Sequence, residues 1–192
     1  MTKRDRTHQV VLLVSLPLLA WLVMMVFHEA GHVLGAWLTG GDVRRVVLHP
    51  LAFSRTDVNP NPAPGVVVWA GPIVGVALPL SIWLLAAWRR LRVTPILRFI
   101  AGFCLLANGA YLAGGSFDRV GDAGDMLRTG TPIVVLWVVG GLAAASGLAL
   151  WHRQGKHFGL GRDATPVPVR QAYGCVLALM LIAVGMWGWS LQ

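Results

Sequence analysis

The chain has 192 residues, 56% of them hydrophobic and 12% charged, with a formal net charge of +8. A soluble domain carries about 25% charged residues, and the long apolar runs here lack a polar face at helical period, so an ordinary soluble fold is excluded. The basic residues stand in short clusters between apolar runs, which is how membrane topology is written; a lipid bilayer is the expected partner and nucleic acid is not.

Five apolar segments are long enough to cross a hydrocarbon core of about 30 Å: 9–38, 66–88, 96–114, 132–151 and 171–191. The first is about 30 residues, or ~45 Å as a helix. That is too long for one upright span and too short for two, which predicts a tilted or kinked helix with Pro17 at the kink. Its basic opening, Met1 to Arg6, also suits a secretory signal. No small-x-small site closes the run, however, and apolar character continues past His32, so a retained span is expected. Most of the tryptophans fall near run ends, as in an interfacial belt. Cys104 and Cys175 lie inside apolar runs and read as buried small hydrophobes rather than a disulfide or metal pair.

Between the first two spans, the Val-rich piece within 40–50 predicts a short strand pair. The Pro-rich piece 59–64 predicts an extended return towards the membrane. With no internal repeat and no low-complexity tract, residues 1–192 read as a single polytopic membrane domain. The fold class is all-α, about five transmembrane helices with a short β-like hairpin after the first. Lys and Arg alternate across the spans: Lys3, Arg4, Arg6, Arg89, Arg90, Arg92, Arg98, Arg153, Lys156, Arg162 and Arg170 on one side, Arg44, Arg45, Arg55, Arg119 and Arg128 on the other. The richer side is expected in the cytoplasm.

Chemistry concentrates near the end of the first span, at His28-Glu29-Ala30-Gly31-His32. Positions i and i+4 share a helix face, so His28 and His32 can point both imidazoles at one Zn²⁺. Glu29, on the adjoining face, can hold the attacking water, take its proton and pass it to the leaving amine. Ala30 and Gly31 keep that part of the helix slim, which suits a polypeptide approaching the metal. Glu29 is the only glutamate in the chain, and chance would place His one before and three after it on the order of once in a thousand. Charged groups inside an apolar span are costly and mark function. A catalytic zinc takes three protein ligands; the candidates for the third are His49, in the loop after span one, and Asp118, Asp122 and Asp125, in a Gly-rich loop just after span three, whose plainer reading is an ordinary turn. Spans one and three run the same way, so both reach the same face. Asn108 and Tyr111, about one turn apart on span three, can line a substrate groove or bond across helices.

The sequence resembles the site-2 protease family of intramembrane metalloproteases. Phe27 to His32 is similar to the family's His-Glu-x-x-His motif, Ala70-Gly71-Pro72-Ile73-Val74-Gly75 to a motif opening the next core helix, with Pro72 where a helix would start, and Asp122-Ala123-Gly124-Asp125-Met126-Leu127 to the stretch that supplies the third ligand. The resemblance implies a three-helix catalytic core within about 9–130, two further spans within about 132–191, and Zn²⁺. It also implies hydrolysis of peptide bonds in a membrane-protein or peptide substrate, with Asp122 as third ligand. The expected setting is a bacterial cytoplasmic membrane. Ala123 stands where the family has glycine. The family's metal lies towards the cytosol, whereas the charge bias puts the ends of spans one and three outside. Two other functions fit less well: a zinc-binding regulator or assembly factor that does not cleave, and a transporter, for which spans two, four and five offer almost no polar residues.

Overall fold

Burial along the first helix repeats every three or four residues. Leu12, Leu16, Leu19, Leu22 and Met25 form a buried stripe, and the same stripe continues into His28, Glu29, His32 and Ala36. The apolar packing face of α1 (Lys3–Leu38) therefore becomes the functional face near its C-terminal end. In the computed structural model, which describes residues 3–190, α1 runs unbroken through Pro17. It is followed by β1 (Val43–Val47), β2 (Arg55–Val58), α2 (Pro64–Trp88), α3 (Thr94–Asp118), α4 (Gly121–Arg128), α5 (Ile133–Trp151), a 3-10 turn (Gly155–Phe158) and α6 (Val169–Ser190). Five of these helices, all but α4, are long and apolar enough to cross a membrane. A strand pair is present after the first span and antiparallel, with Val46 opposite Thr56 and Val47 opposite Arg55, but only its first strand lies in the Val-rich piece within 40–50.

Three expectations need correcting. The Gly-rich stretch after span three is not a loop: α3 extends to Asp118, and Asp122 and Asp125 lie on α4. A tight reversal makes this possible, with Arg119 and Gly121 both in the left-handed region (φ 55 and 54). Pro72 does not start a helix. α2 opens at Pro64, in the position where a missing N–H costs nothing, and Pro72 lies two turns inside. The slim face at Gly31 does not face a substrate path, because α2 occupies it: a Cβ there would collide with the backbone of Ala70 and Gly71. The far end of the fifth predicted span, Leu191, lies outside the described residues.

Helices that cross a bilayer gain little hydrophobic free energy from pairing and rely on close approach. The α3–α5 contact illustrates it. Gly102 and Gly109 of α3 meet Gly147 and Gly140 of α5, and a Cβ at any of the four would strike the opposite backbone, or, at Gly102, the Trp151 indole first. At the end of the bundle away from His28, Phe99 stacks on Trp151 at 4.9 Å and meets Phe158 edge-on at 5.8 Å. On the other flank α6 packs along α1, where Ala172 and Cys175 join Leu12, Leu16, Leu19 and Cys104 in one core. Both cysteines are free and buried.

The bundle has two chemically distinct ends. At one, Gln9 donates to the carbonyls of Phe158 and Gly159, Gln171 to that of Arg92, and Arg98 to that of His152. This end gathers eleven Lys and Arg against Asp5 and Asp163. The opposite end, with the hairpin and α4, has five arginines against six acidic residues. By the positive-inside rule the basic end is the one expected in the cytoplasm. Single-cysteine reporters check it, since the native cysteines are buried: in intact cells a membrane-impermeant maleimide should label Leu51→Cys, on the hairpin, and spare Arg162→Cys. The reverse pattern would invert the topology.

Candidate metal centre

His28 and His32 project from α1 towards α4, where Asp122 sits in the first turn. The Nε2 of His28 lies 2.7 Å from Asp122 Oδ2 and 3.1 Å from the Nε2 of His32, and the third edge, His32 Nε2 to Asp122 Oδ2, is 3.3 Å. Among the described residues this is the group of three His, Cys, Asp or Glu side chains placed to hold a metal ion.

The protonation pattern decides what the triangle is for. His28 Nδ1 faces Asn108 Oδ1 at 2.7 Å, and Asn108 is oriented by its own Nδ2, which donates to the carbonyl of Cys104 at 2.8 Å. His28 Nδ1 therefore donates. His32 Nδ1 donates to the carbonyl of Val67 at 2.8 Å. With both Nδ1 protons turned outward, each neutral ring presents its Nε2 lone pair inward, beside a carboxylate oxygen. Three acceptors that close repel one another unless a cation lies between them. A tetrahedral zinc with bonds of about 2.0–2.1 Å has ligand–ligand edges of about 3.3 Å, so the observed triangle fits one after small adjustments.

Each first ligand has a built seat. The ring of His32 lies on Gly71, where a Cβ would overlap the imidazole, and Gly75 leaves room for His28 and Asn108. The Gly-rich motif of α2 therefore does more than bring helices together. Tyr111 meets His28 edge-on at 6.3 Å, and its hydroxyl accepts from the backbone N–H of Asp122 at 3.3 Å, fixing the start of α4. Glu29 is 2% exposed; its Oε2 accepts from the hydroxyl of Thr56, on β2, at 2.7 Å. A cavity of about 710 Å³ collects His28, Glu29, His32, Asn108, Tyr111 and Asp122 together with the inner side of β2.

The other sequence candidates lie apart from this cluster. His49 accepts from the backbone N–H of Leu51 and rests on Trp187. Asp125 lines the cavity but pairs with Arg128, and Asp118 closes α3. Ala123, fully buried, points into a core of Val68, Leu112, Met126 and Leu136, so its replacement of a glycine does not touch the metal cluster. Sequence reasoning missed Thr56, the Val67 carbonyl and the seat at Gly71. Only Gly71 carried a signal, as part of the quoted motif.

A model of the Peptidase M50B-like family matches residues 7–114. No curated protein matches the chain, and no solved structure does. The matched stretch contains the His pair and Asn108 and ends before Asp122, so the case for the third ligand is geometric.

Metal analysis of purified variants tests the assignment. The wild type should hold one zinc per chain, and His28→Ala, His32→Ala and Asp122→Ala should each lose it, while His49→Ala, Asp118→Ala and Asp125→Ala retain it. Asn108→Ala should weaken zinc binding by roughly tenfold to a hundredfold, the usual cost of losing a group that orients a ligand, and Gly71→Ala should weaken it too, because the added Cβ displaces the His32 ring. Retention of full affinity by Asp122→Ala would remove it from the centre.

Proposed function

The chain belongs to the Peptidase M50B-like family, and we propose that it is an intramembrane zinc peptidase of the site-2 protease type. Its substrates would be membrane-embedded or membrane-adjacent polypeptides. The observation that carries the reading is the convergence of three inward-facing acceptors, two of them imidazoles with their Nδ1 protons turned away, on a cavity that also holds a buried glutamate.

His28 Nε2, His32 Nε2 and Asp122 Oδ2 would hold the ion. Zinc bound there supplies Lewis acidity, polarising a carbonyl and bringing the pKa of water towards about 7. Asn108 and the Val67 carbonyl keep the two rings in register, so neither must reorient during a turnover. Glu29 has one oxygen engaged by Thr56, which leaves Oε1 to take a proton from the attacking water. As the peptide C–N bond breaks, the same carboxyl delivers that proton to the leaving nitrogen. The cavity is of the size that takes an extended segment of chain. Its walls include Trp21, Met24, Met25 and Val68, apolar surfaces suited to the side chains of an unwound membrane segment.

Glu29→Gln keeps the shape of the side chain and removes the base. It should abolish cleavage of an apolar transmembrane peptide reconstituted with the enzyme in phospholipid vesicles, while zinc content stays at one per chain. A Glu29→Gln protein that cleaves at the wild-type rate would sink the mechanism.

A further inference from the structure

We propose that Thr56, on the hairpin outside the helical core, is a positioning residue for Glu29, and that α6 holds the hairpin in the register this requires. The inference rests on the peptidase reading above.

Glu29 needs such a partner for two reasons. A carboxylate that is 2% exposed in an apolar bundle needs a donor to offset its desolvation, and the hydroxyl of Thr56 provides one at 2.7 Å. Moreover, the last torsion of a glutamate side chain is broad rather than confined to sharp wells. Packing from α1 alone leaves the carboxyl plane free to rotate. A hydrogen bond to Oε2 fixes that plane beside the cavity that both residues line.

Thr56 is itself held from outside. It faces Val46 across the antiparallel ladder, and the carbonyl of Val46 accepts from the indole N–H of Trp189, on α6, at 2.9 Å. One residue pair further along, past Val47 and Arg55, the turn carries His49, whose ring lies 4.8 Å from that of Trp187. A slip of one residue in β2 would turn Thr56 to the opposite face, so a fixed register is what delivers the hydroxyl to Glu29. The chain of contacts runs from α6 through Val46 and Thr56 to the proton carrier. This gives the last helix, which contributes none of the groups around the metal cluster, a part in the chemistry.

The chain's single glutamate makes the test specific. A ¹³C label in the glutamate side-chain carboxyl reports Glu29 alone, and isotope-edited infrared spectra of the zinc-loaded full chain in phospholipid vesicles read its carboxylate bands. Thr56→Val should shift those bands, and Thr56→Ser, which keeps the hydroxyl, should restore them. With the same transmembrane peptide probe, Thr56→Val should lower kcat roughly tenfold to a hundredfold with KM and zinc content unchanged, and Thr56→Ser should recover most of the loss. Trp189→Phe should act in the same direction and add nothing to Thr56→Val. A Thr56→Val spectrum that superimposes on the wild type overturns the proposal, as does a shifted spectrum with undiminished kcat. If instead Glu29→Gln proved as active as the wild type while the band shift persisted, the peptidase mechanism would fail and the Thr56 contact would stand.

Discussion

A bilayer offers a helix little reason to bury its apolar side against another helix, so what binds this bundle is proximity, and proximity is limited by side chains. Where α1, α2, α3 and α5 touch, the limiting side chain has been removed: Gly31 lets α1 reach the Ala70 backbone, and Gly102, Gly109, Gly140 and Gly147 bring α3 and α5 together. The metal centre depends on the same economy of bulk. The His32 ring occupies the space a side chain at Gly71 would fill, and His28 and Asn108 crowd against Gly75. Close packing here determines where two imidazoles can stand.

Once the rings are seated, the electrostatics follow with little freedom. Asn108 and the Val67 carbonyl each hold an Nδ1 proton on the outer side, and the inner side is left with lone pairs facing Asp122. In a medium of low dielectric such a gathering of acceptors is costly without a cation. It therefore selects for the presence of one.

Much of this was legible in the sequence because the relevant signals are local. Apolar runs of span length, the i, i+4 histidines flanking the single glutamate, and a Val-rich stretch ahead of prolines each declare themselves within a short window. The errors arose where local and tertiary preferences compete. Gly121 and Gly124 argued for a turn, yet α4 forms because Ala123 and Met126 bury completely against Val68, Leu112 and Leu136. Pro72 argued for a helix start, yet it sits within α2 on a buried face. Thr56 could not be found at all: a threonine in a polar hairpin is unremarkable, and its partner lies 27 residues away. The seven-residue spacing of Gly102 and Gly109, matched by Gly140 and Gly147, was visible but gains its meaning only when α3 and α5 are placed side by side.

The position of Asp122 on α4, rather than on a span, bears on how the protein is made. Its partner His28 precedes it by 94 residues, so during synthesis the two histidines are inserted well before the carboxylate exists. Two imidazoles alone form an incomplete site with weak hold on a metal. Completion waits until α3 has crossed and the reversal at Arg119–Gly121 has folded α4 back against α2 and α3. Because ligand binding energy is then folding energy, an ion bound there would act as a clasp closed last, held tightly only by chains whose helical core has finished assembling. A nascent chain thus has Glu29 in place before the cluster beside it is complete.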